Sequence, residues 1–245
     1  MNHSAHSEKE IHGDKSFLNR FHDYLGEFVY GGIDGSVTTF AVVAGSAGAG
    51  LESSIVLILG FANLIADGFA MSVGSYLSTK SEKEHFEKHM AIEYWEVDNL
   101  PDVERQEIRE IYEAKGFKGK LLEDVVATIT ADKDRWVDVM MKEELEMAKE
   151  TKSPFAMGGV TFLSFILFGL VPLIIYVVDF LNPLTQNLFF IASVLTALCF
   201  ISIGFLKSAV TDTPRLRSIL ETLLLGGAAA TLSYFVGDFL EGLIG

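Results

Sequence analysis

The sequence predicts an all-α membrane protein with five transmembrane helices and a three-helix cytosolic domain inserted between helices two and three. Three observations predict this class. Five apolar segments alternate with polar ones, the basic residues are confined to alternate polar segments, and one of those segments is long and acidic. The expected divisions are an N-terminal tail (1–25), helices one and two (26–79), the acidic domain (80–153) and helices three to five (154–245).

The five apolar segments define the expected spans. Each is long enough to cross a hydrocarbon core, which takes about 20 helical residues. They must be helical, because lipid offers the backbone no hydrogen-bond partner. The first and fifth are rich in glycine and weaker in hydropathy, so buried helices of a soluble protein are the alternative for them. The segments are Phe28–Gly50, Ser53–Ser78, Phe155–Val178, Asn187–Leu206 and Ile219–Leu240.

The basic residues predict the orientation. All 19 Lys and Arg lie before the first segment, between the second and third, or between the fourth and fifth. Lys and Arg concentrate in cytoplasmic loops. We therefore expect the N-terminus and the acidic domain in the cytosol and the C-terminus outside. This sorting of cations also favours the membrane interpretation over a soluble bundle.

Composition excludes several classes of function. A net charge of −14 argues against nucleic-acid binding, which needs a basic surface. The single cysteine, Cys199, excludes disulfides within one chain and thiolate clusters. The N-terminal 25 residues lack the apolar core of a secretory signal. His3, His6 and His12 in this tail could contact metal, although a solvated tail is the favoured interpretation.

The acidic domain has 20 Asp and Glu against 13 Lys and Arg in residues 80–153. The pattern predicts that helix two continues through residues 81–96 and stops at Leu100 and Pro101. A second helix then begins with acidic residues in its first turn, and a third, longer helical tract covers residues 121–150. An acidic surface often serves only solubility, so spacing has to decide whether it binds anything.

Spacing in this domain suggests a metal site. Glu93 with Glu96, and Glu104 with Glu107, are three residues apart and share helix faces, while Met140 and Glu144 are one turn apart. Carboxylates combined with a thioether suit a divalent transition metal such as ferrous iron better than magnesium or calcium. Acidic pairs are also common on solvated helices, so both interpretations stay open on spacing alone.

Two aspartates lie in the middle of the first two apolar segments. A charged side chain at mid-membrane costs about 2.5–3.5 kcal/mol and tends to mark a function. The alternative is that Asp34 and Asp67 are hydrogen-bonded contacts between packed helices. The polar strip on the second helix contains Asn63, Asp67, Met71, Gly74 and Ser78.

Helix one carries a comparable strip, in which Thr38 follows Asp34 by one turn. On the same helix, Gly31 and Gly35 form a pair of small residues four apart, the spacing that lets two membrane helices approach closely. We therefore expect a neighbouring helix to pack tightly against this part of helix one.

At these residues the chain resembles a known family. GGIDGSVTTFAVVAG in helix one, ANLIADGFAMSVGSYLSTKSE in helix two and the acidic insertion are similar to the vacuolar iron transporters, which include the yeast vacuolar iron and manganese carrier and plant relatives. The resemblance covers nearly all of the chain from about Tyr24. It implies a homodimer that exchanges cytosolic Fe²⁺, or Mn²⁺, for protons along a path between the subunits. It implies no enzyme activity and no prosthetic group, the metal being substrate and bound ion.

The resemblance also implies site residues. Asp34 and Met71 match family metal ligands in the membrane. Some members carry Glu where this chain has Asn63, with Asp67 one turn along, so the membrane ligand set and the proton carrier stay open. The residues that match the family's cytosolic metal-binding domain are Glu93, Glu96, Glu104, Glu107, Met140, Met141 and Glu144.

Two other functions are alternatives. A membrane-anchored di-iron oxidase or iron-binding protein would need two Glu-x-x-His motifs on facing helices, and only Glu82-x-x-His85 is present. His85, His89 and Glu93 form a helical stripe that we interpret as surface. An adaptor with a basic partner would leave the intramembrane aspartates unexplained. The chain's length and the lack of an organellar targeting segment predict a prokaryotic plasma membrane, or the vacuolar membrane in a eukaryote.

Overall fold

The computed structural model describes residues 17–244, with side chains from Tyr24 onward, and every regular element in that range is a helix. His3, His6 and His12 lie outside the described residues. The helices are α1 (Phe17–Gly48), α2 (Ser53–Asn99), α3 (Pro101–Ala114), α4 (Gly119–Thr130), α5 (Lys133–Glu143), α6 (Pro154–Gly169), a 3₁₀ turn (Val171–Leu173), α7 (Ile174–Leu181), α8 (Leu188–Thr211) and α9 (Arg215–Ile244).

Five helical stretches of the described chain are long and apolar enough to cross a membrane. The all-helical class and the five expected spans are therefore confirmed. The stretches are Tyr24–Gly48, Ser53–Asn99, Pro154–Leu181, Leu188–Thr211 and Arg215–Ile244.

The chain divides into two compact units. One, here called the span unit, contains the chain up to Tyr76 and from Ser153 onward, and the other, the acidic unit, is Leu77–Lys152. Helix α2 contributes its first part to the span unit and its last part to the acidic unit.

Helix α1 is the centre of packing in the span unit, where it contacts α6, α8 and α9. Close approach requires glycine at several points, of which Gly35 and Gly237 are two. A Cβ atom on Gly35 would lie 2.4 Å from the carbonyl oxygen of Phe165, and one on Gly237 would lie 2.0 Å from the carbonyl oxygen of Gly45. The first contact confirms the tight packing that the Gly31 and Gly35 spacing predicts.

The third span is not one continuous helix, as the sequence analysis expected for Phe155–Val178. Helix α6 ends at Gly169, a 3₁₀ turn follows, and α7 begins at Ile174. Pro172 explains the break, because it has no backbone N–H to donate and disfavours helical backbone at the residue before it.

The acidic unit is built from the last part of α2 and from α3, α4 and α5 around its own apolar core. Ion pairs join its helices at the surface: Arg109 contacts Glu123 at 2.8 Å, and Lys133 contacts Asp98 at 2.6 Å. The buried core residues are Val97, Ile108, Leu122, Val126, Ile129, Trp136, Val137, Met140 and Met141.

The expected third helical tract, residues 121–150, was wrong in two respects, because it is two helices and the second of them ends before residue 150. Helix α4 ends at Thr130, and the backbone of Asp132 is extended. The Asp132 carboxylate then accepts a hydrogen bond from the backbone N–H of Arg135 at 2.8 Å. An aspartate in this position caps a new helix N-terminus, so α5 begins at Lys133 and ends at Glu143.

We predict that Gly237→Ala lowers the apparent melting temperature of the detergent-solubilised protein, because the new methyl group collides with the α1 backbone. Overpacking of this kind costs about 1–3 kcal/mol. Gly227→Ala is the matched control on the same helix, since its Cβ would meet nothing within 4 Å. Equal melting temperatures for the two variants would contradict the α1–α9 packing described here.

Candidate metal site

Five glutamates of the acidic unit converge from three helices. Glu93 and Glu96 lie on α2, Glu104 and Glu107 lie on α3, and Glu144 directly follows the last residue of α5. Each helix brings its acidic side chains to the same place, because residues three apart share a helix face. We call these five residues the glutamate cluster.

Two members of the cluster are buried without a partner. Glu93 and Glu104 are each 4% exposed, and the Oε2 atom of each is buried with no hydrogen-bond partner. Glutamate is almost never this buried unless it is paired. A buried carboxylate oxygen that accepts no hydrogen bond carries an uncompensated desolvation cost.

The electrostatics show that the five carboxylates act on one another. Burial, and then repulsion from Glu144, Glu96 and Glu107, raises the pKa of Glu93 to about 7. Burial, and then repulsion from the other four members, raises the pKa of Glu104 to about 7. Burial and neighbouring carboxylates also raise the pKa of Glu107 and of Glu144.

Among the side chains that the structure describes, no basic group neutralises the cluster. Within residues 24–244, Lys and Arg form salt bridges with other acidic groups of the acidic unit, including Asp98, Glu123 and Glu143. None of the five cluster members takes part in one. Glu144 also caps the C-terminus of α5, where the helix dipole disfavours negative charge. The cluster therefore holds an excess of negative charge that a proton or a metal cation can compensate.

The two methionines of the predicted site are part of the apolar core. Met140 is 0% exposed and Met141 2% exposed, and both pack in the cluster of residues that includes Trp136. Met141 also lines a cavity of about 230 Å³ with Met90 and Met147, and none of the five glutamates lines that cavity.

The cluster is not a closed coordination site in this geometry. Among residues 17–244, no group of three or more His, Cys, Asp and Glu side chains is arranged to hold a metal ion. The carboxylates are near enough to repel one another, and bringing their oxygens onto one ion requires side-chain movement.

In the span unit, the predicted path residues lie on two helices. Asp34 of α1, and Asn63, Asp67 and Met71 of α2, are all partly buried. The carboxylates of Asp34 and Asp67 are close enough to repel each other. The Nδ2 atom of Asn63 is buried without a hydrogen-bond partner, and Met71 packs against the core of the unit.

The predicted polar strips are only partly buried. Gly74 and Ser78 on α2 are exposed. The hydroxyl of Thr38 donates to the backbone carbonyl oxygen of Asp34 at 2.8 Å, a bond within α1. Its proton therefore goes to the helix backbone and not to the Asp34 carboxylate.

One carboxylate near these residues was missed by the sequence analysis. Glu27 on α1 is partly buried, and its Oε1 accepts a hydrogen bond from the hydroxyl of Thr161 on α6 at 2.6 Å. It lies seven residues before Asp34 and therefore on the same helix face. That spacing was visible in the sequence, but Glu27 fell one residue outside the expected first span.

The raised pKa values predict how the metal-free protein responds to pH. Because the folded-state pKa of Glu93 and Glu104 is about 7, above the ordinary 4.5, their contribution to stability is present below about pH 4.5. It is lost as the pH rises through about 7. We expect the acidic unit to unfold more easily at pH 8 than at pH 5, and Glu93→Gln with Glu104→Gln to weaken this dependence.

Intrinsic fluorescence measures this directly, since the two tryptophans of the chain, Trp95 and Trp136, both lie in the acidic unit. Glu87→Gln with Glu113→Gln is the control, because both side chains are exposed. A pH dependence equally strong in the cluster variant and in the control would show that the cluster is not its source.

Comparison with known proteins identifies the family. A family model described as the VIT family matches residues 25–238. A vacuolar iron transporter of Toxoplasma gondii is 36% identical over 99% of this chain and 83% of its own length. Vacuolar iron transporter 1 of Tulipa gesneriana is 31% identical, with 94% and 92% covered, and that of Arabidopsis thaliana is 30% identical, with 88% and 85% covered. These names describe transporters, in agreement with the expected non-enzyme. The chain is a membrane protein that belongs to the VIT family.

Proposed function

We propose that this protein moves Fe²⁺, with Mn²⁺ as a second candidate ion, out of the cytosol in exchange for protons. The observation that carries the proposal is the glutamate cluster, whose five carboxylates are crowded together and form no salt bridge with a basic side chain in residues 24–244. The relatives named as iron transporters supply the choice of metal.

The cluster serves as the site that captures metal. Its carboxylates provide negative charge. The thioethers of Met140 and Met141 pack in the apolar core, and if their side chains turn toward the carboxylates they would add ligands that favour ferrous iron over magnesium or calcium. With a pKa of about 7, Glu93 and Glu104 hold their protons weakly near neutral pH. A divalent ion can therefore displace these protons when it binds, and the same groups can release the ion when protons return.

The path through the membrane uses Asp34 and Met71, with Asn63 and Asp67 beside them. A carboxylate that binds either a metal ion or a proton, but not both, is the simplest physical basis for antiport. The partial burial of Asp34 and Asp67 and their mutual repulsion support this role. A cation between the helices would compensate both carboxylates.

We further propose that two copies of the chain form a homodimer with the path between them. Asp34 and Asp67 are only partly buried in the single chain, and a charged group facing lipid costs about 2.5–3.5 kcal/mol. A second subunit would cover this surface and remove that cost.

The distribution of Lys and Arg along the chain supports a cytosolic position for the N-terminus and the acidic unit. That the membrane is a prokaryotic plasma membrane stays a prediction.

We predict that Asp34→Ala abolishes Fe²⁺ uptake into liposomes with an acidic interior, because no carboxylate remains there to bind metal or proton in turn. Fe²⁺ binding by the acidic unit should persist in the same full-length variant. Asp212→Asn, in the exposed connection between α8 and α9, serves as control and should transport normally. Unchanged uptake by Asp34→Ala would refute its role.

Substitutions in the glutamate cluster should change a different property of transport, the Fe²⁺ concentration that gives half-maximal uptake. In Glu93→Gln with Glu104→Gln, we expect the Fe²⁺ concentration for half-maximal uptake to rise about tenfold or more, because two buried ligands lose their charge. Maximal uptake at saturating Fe²⁺ should change much less. Initial rates over a range of Fe²⁺ concentrations separate the two quantities, and a lower maximal rate with unchanged half-saturation would contradict the capture role.

A further inference from the structure

We propose that His85 and His89 form a separate two-imidazole binding site for divalent transition-metal ions, one helical turn before the glutamate cluster on α2. Both histidines lie in the acidic unit. The role of this site, to select and deliver ions to the cluster, rests on the proposed transport function.

The two imidazoles already lie together. Their ring centroids are 4.6 Å apart and the ring planes meet at 67°. A spacing of four residues places both side chains on one face of the helix, and paired histidines at this spacing bind zinc on the helices of metalloproteases. A metal ion lies about 2.0–2.1 Å from each ligating nitrogen. Side-chain rotation alone can therefore bring both nitrogens onto one ion.

The ring nitrogens are available to a ligand. In the part of the chain that the structure describes, neither histidine forms a hydrogen bond or a salt bridge, and the two rings contact each other. His85 is exposed and His89 partly buried. Neither belongs to the apolar core of the acidic unit, so packing does not account for their position. Two ligands from the protein leave the remaining coordination positions to water.

The position of the two histidines on α2 suggests that they deliver ions to the glutamate cluster. His89 precedes Glu93 by four residues, so His85, His89, Glu93 and Glu96 continue one strip along the same face of α2. Imidazole nitrogen suits zinc, copper, iron and nickel, whereas magnesium and calcium prefer oxygen ligands. The two imidazoles therefore bind transition-metal ions in preference to magnesium and calcium. An ion bound there is one turn away from the unpartnered Oε2 of Glu93.

Zinc binding to the full-length protein in detergent tests the site. The background chain carries alanine in place of the four histidines before position 25, which removes competing imidazoles. In this background, His85→Ala with His89→Ala should lose one Zn²⁺ per chain by isothermal titration, and each single substitution should weaken that event at least tenfold. Glu84→Ala with Lys88→Ala, an exposed pair at the same spacing, should keep it. Circular dichroism checks that helix content is equal in all variants.

The results distinguish this inference from the proposed function. If the double histidine variant binds as much Zn²⁺ as the background chain, with the same affinity, the imidazole site is refuted even where Fe²⁺ transport is normal. If the Zn²⁺ binding that depends on the two histidines persists in the variant Glu93→Gln with Glu104→Gln, the histidine site and the glutamate cluster are separate, as proposed. If it disappears there, the histidines are only part of the glutamate cluster and the inference fails. Absence of Fe²⁺ transport by the unmodified protein would refute the proposed function alone.

Discussion

The crowding of like charges is the interaction on which this interpretation of the structure depends. Glu93 and Glu104 are buried, each has an oxygen without a hydrogen bond, and three further carboxylates repel them. Such an arrangement opposes folding. It is held in place by the apolar core around Met140 and Ile108 and by ion pairs elsewhere in the acidic unit. Protons or a metal cation compensate the charge, and this competition is the basis of the proposed capture and release.

In the span unit, too, like charges lie close together, although there are fewer of them. Asp34 and Asp67 repel each other from neighbouring helices, and the packing that fixes α1 comes from backbone contacts at glycine. Gly35 allows α6 to approach, and Gly237 allows α9 to approach. In a membrane, where water does not drive helices together, such close contacts between small residues are a main source of helix association. The aspartates can therefore be held at mid-helix although they do not themselves stabilise the bundle.

Hydropathy and charge sorting were sufficient to predict the five spans, because crossing a membrane needs long apolar helices whatever their packing. The breaks were harder to foresee. Pro172 interrupts a stretch that is apolar throughout, and Asp132 ends one amphipathic helix and begins another within a tract that reads as continuous. Both depend on a single residue, and neither alters the hydrophobic pattern around it.

For the site, three-residue spacing indicated that glutamates share a face, but it could not tell whether that face is buried. The burial of Glu93 and Glu104 depends on how α2 packs with α3 and α5, which is a tertiary property. The same limit applies to His85 and His89, which spacing alone described as surface. Their ring contact is the observation that the sequence did not contain.

Anaerobic addition of Fe²⁺ to the full-length protein at pH 7.5, followed by tryptophan fluorescence during thermal unfolding, tests the central claim most directly. The account predicts that Fe²⁺ raises the unfolding temperature of the acidic unit in the unmodified protein, because a ligand that binds only the folded state stabilises it. In Glu93→Gln with Glu104→Gln, most of that rise should disappear. An equal rise in both proteins, or none in the unmodified one, would contradict the claim that the crowded carboxylates bind metal.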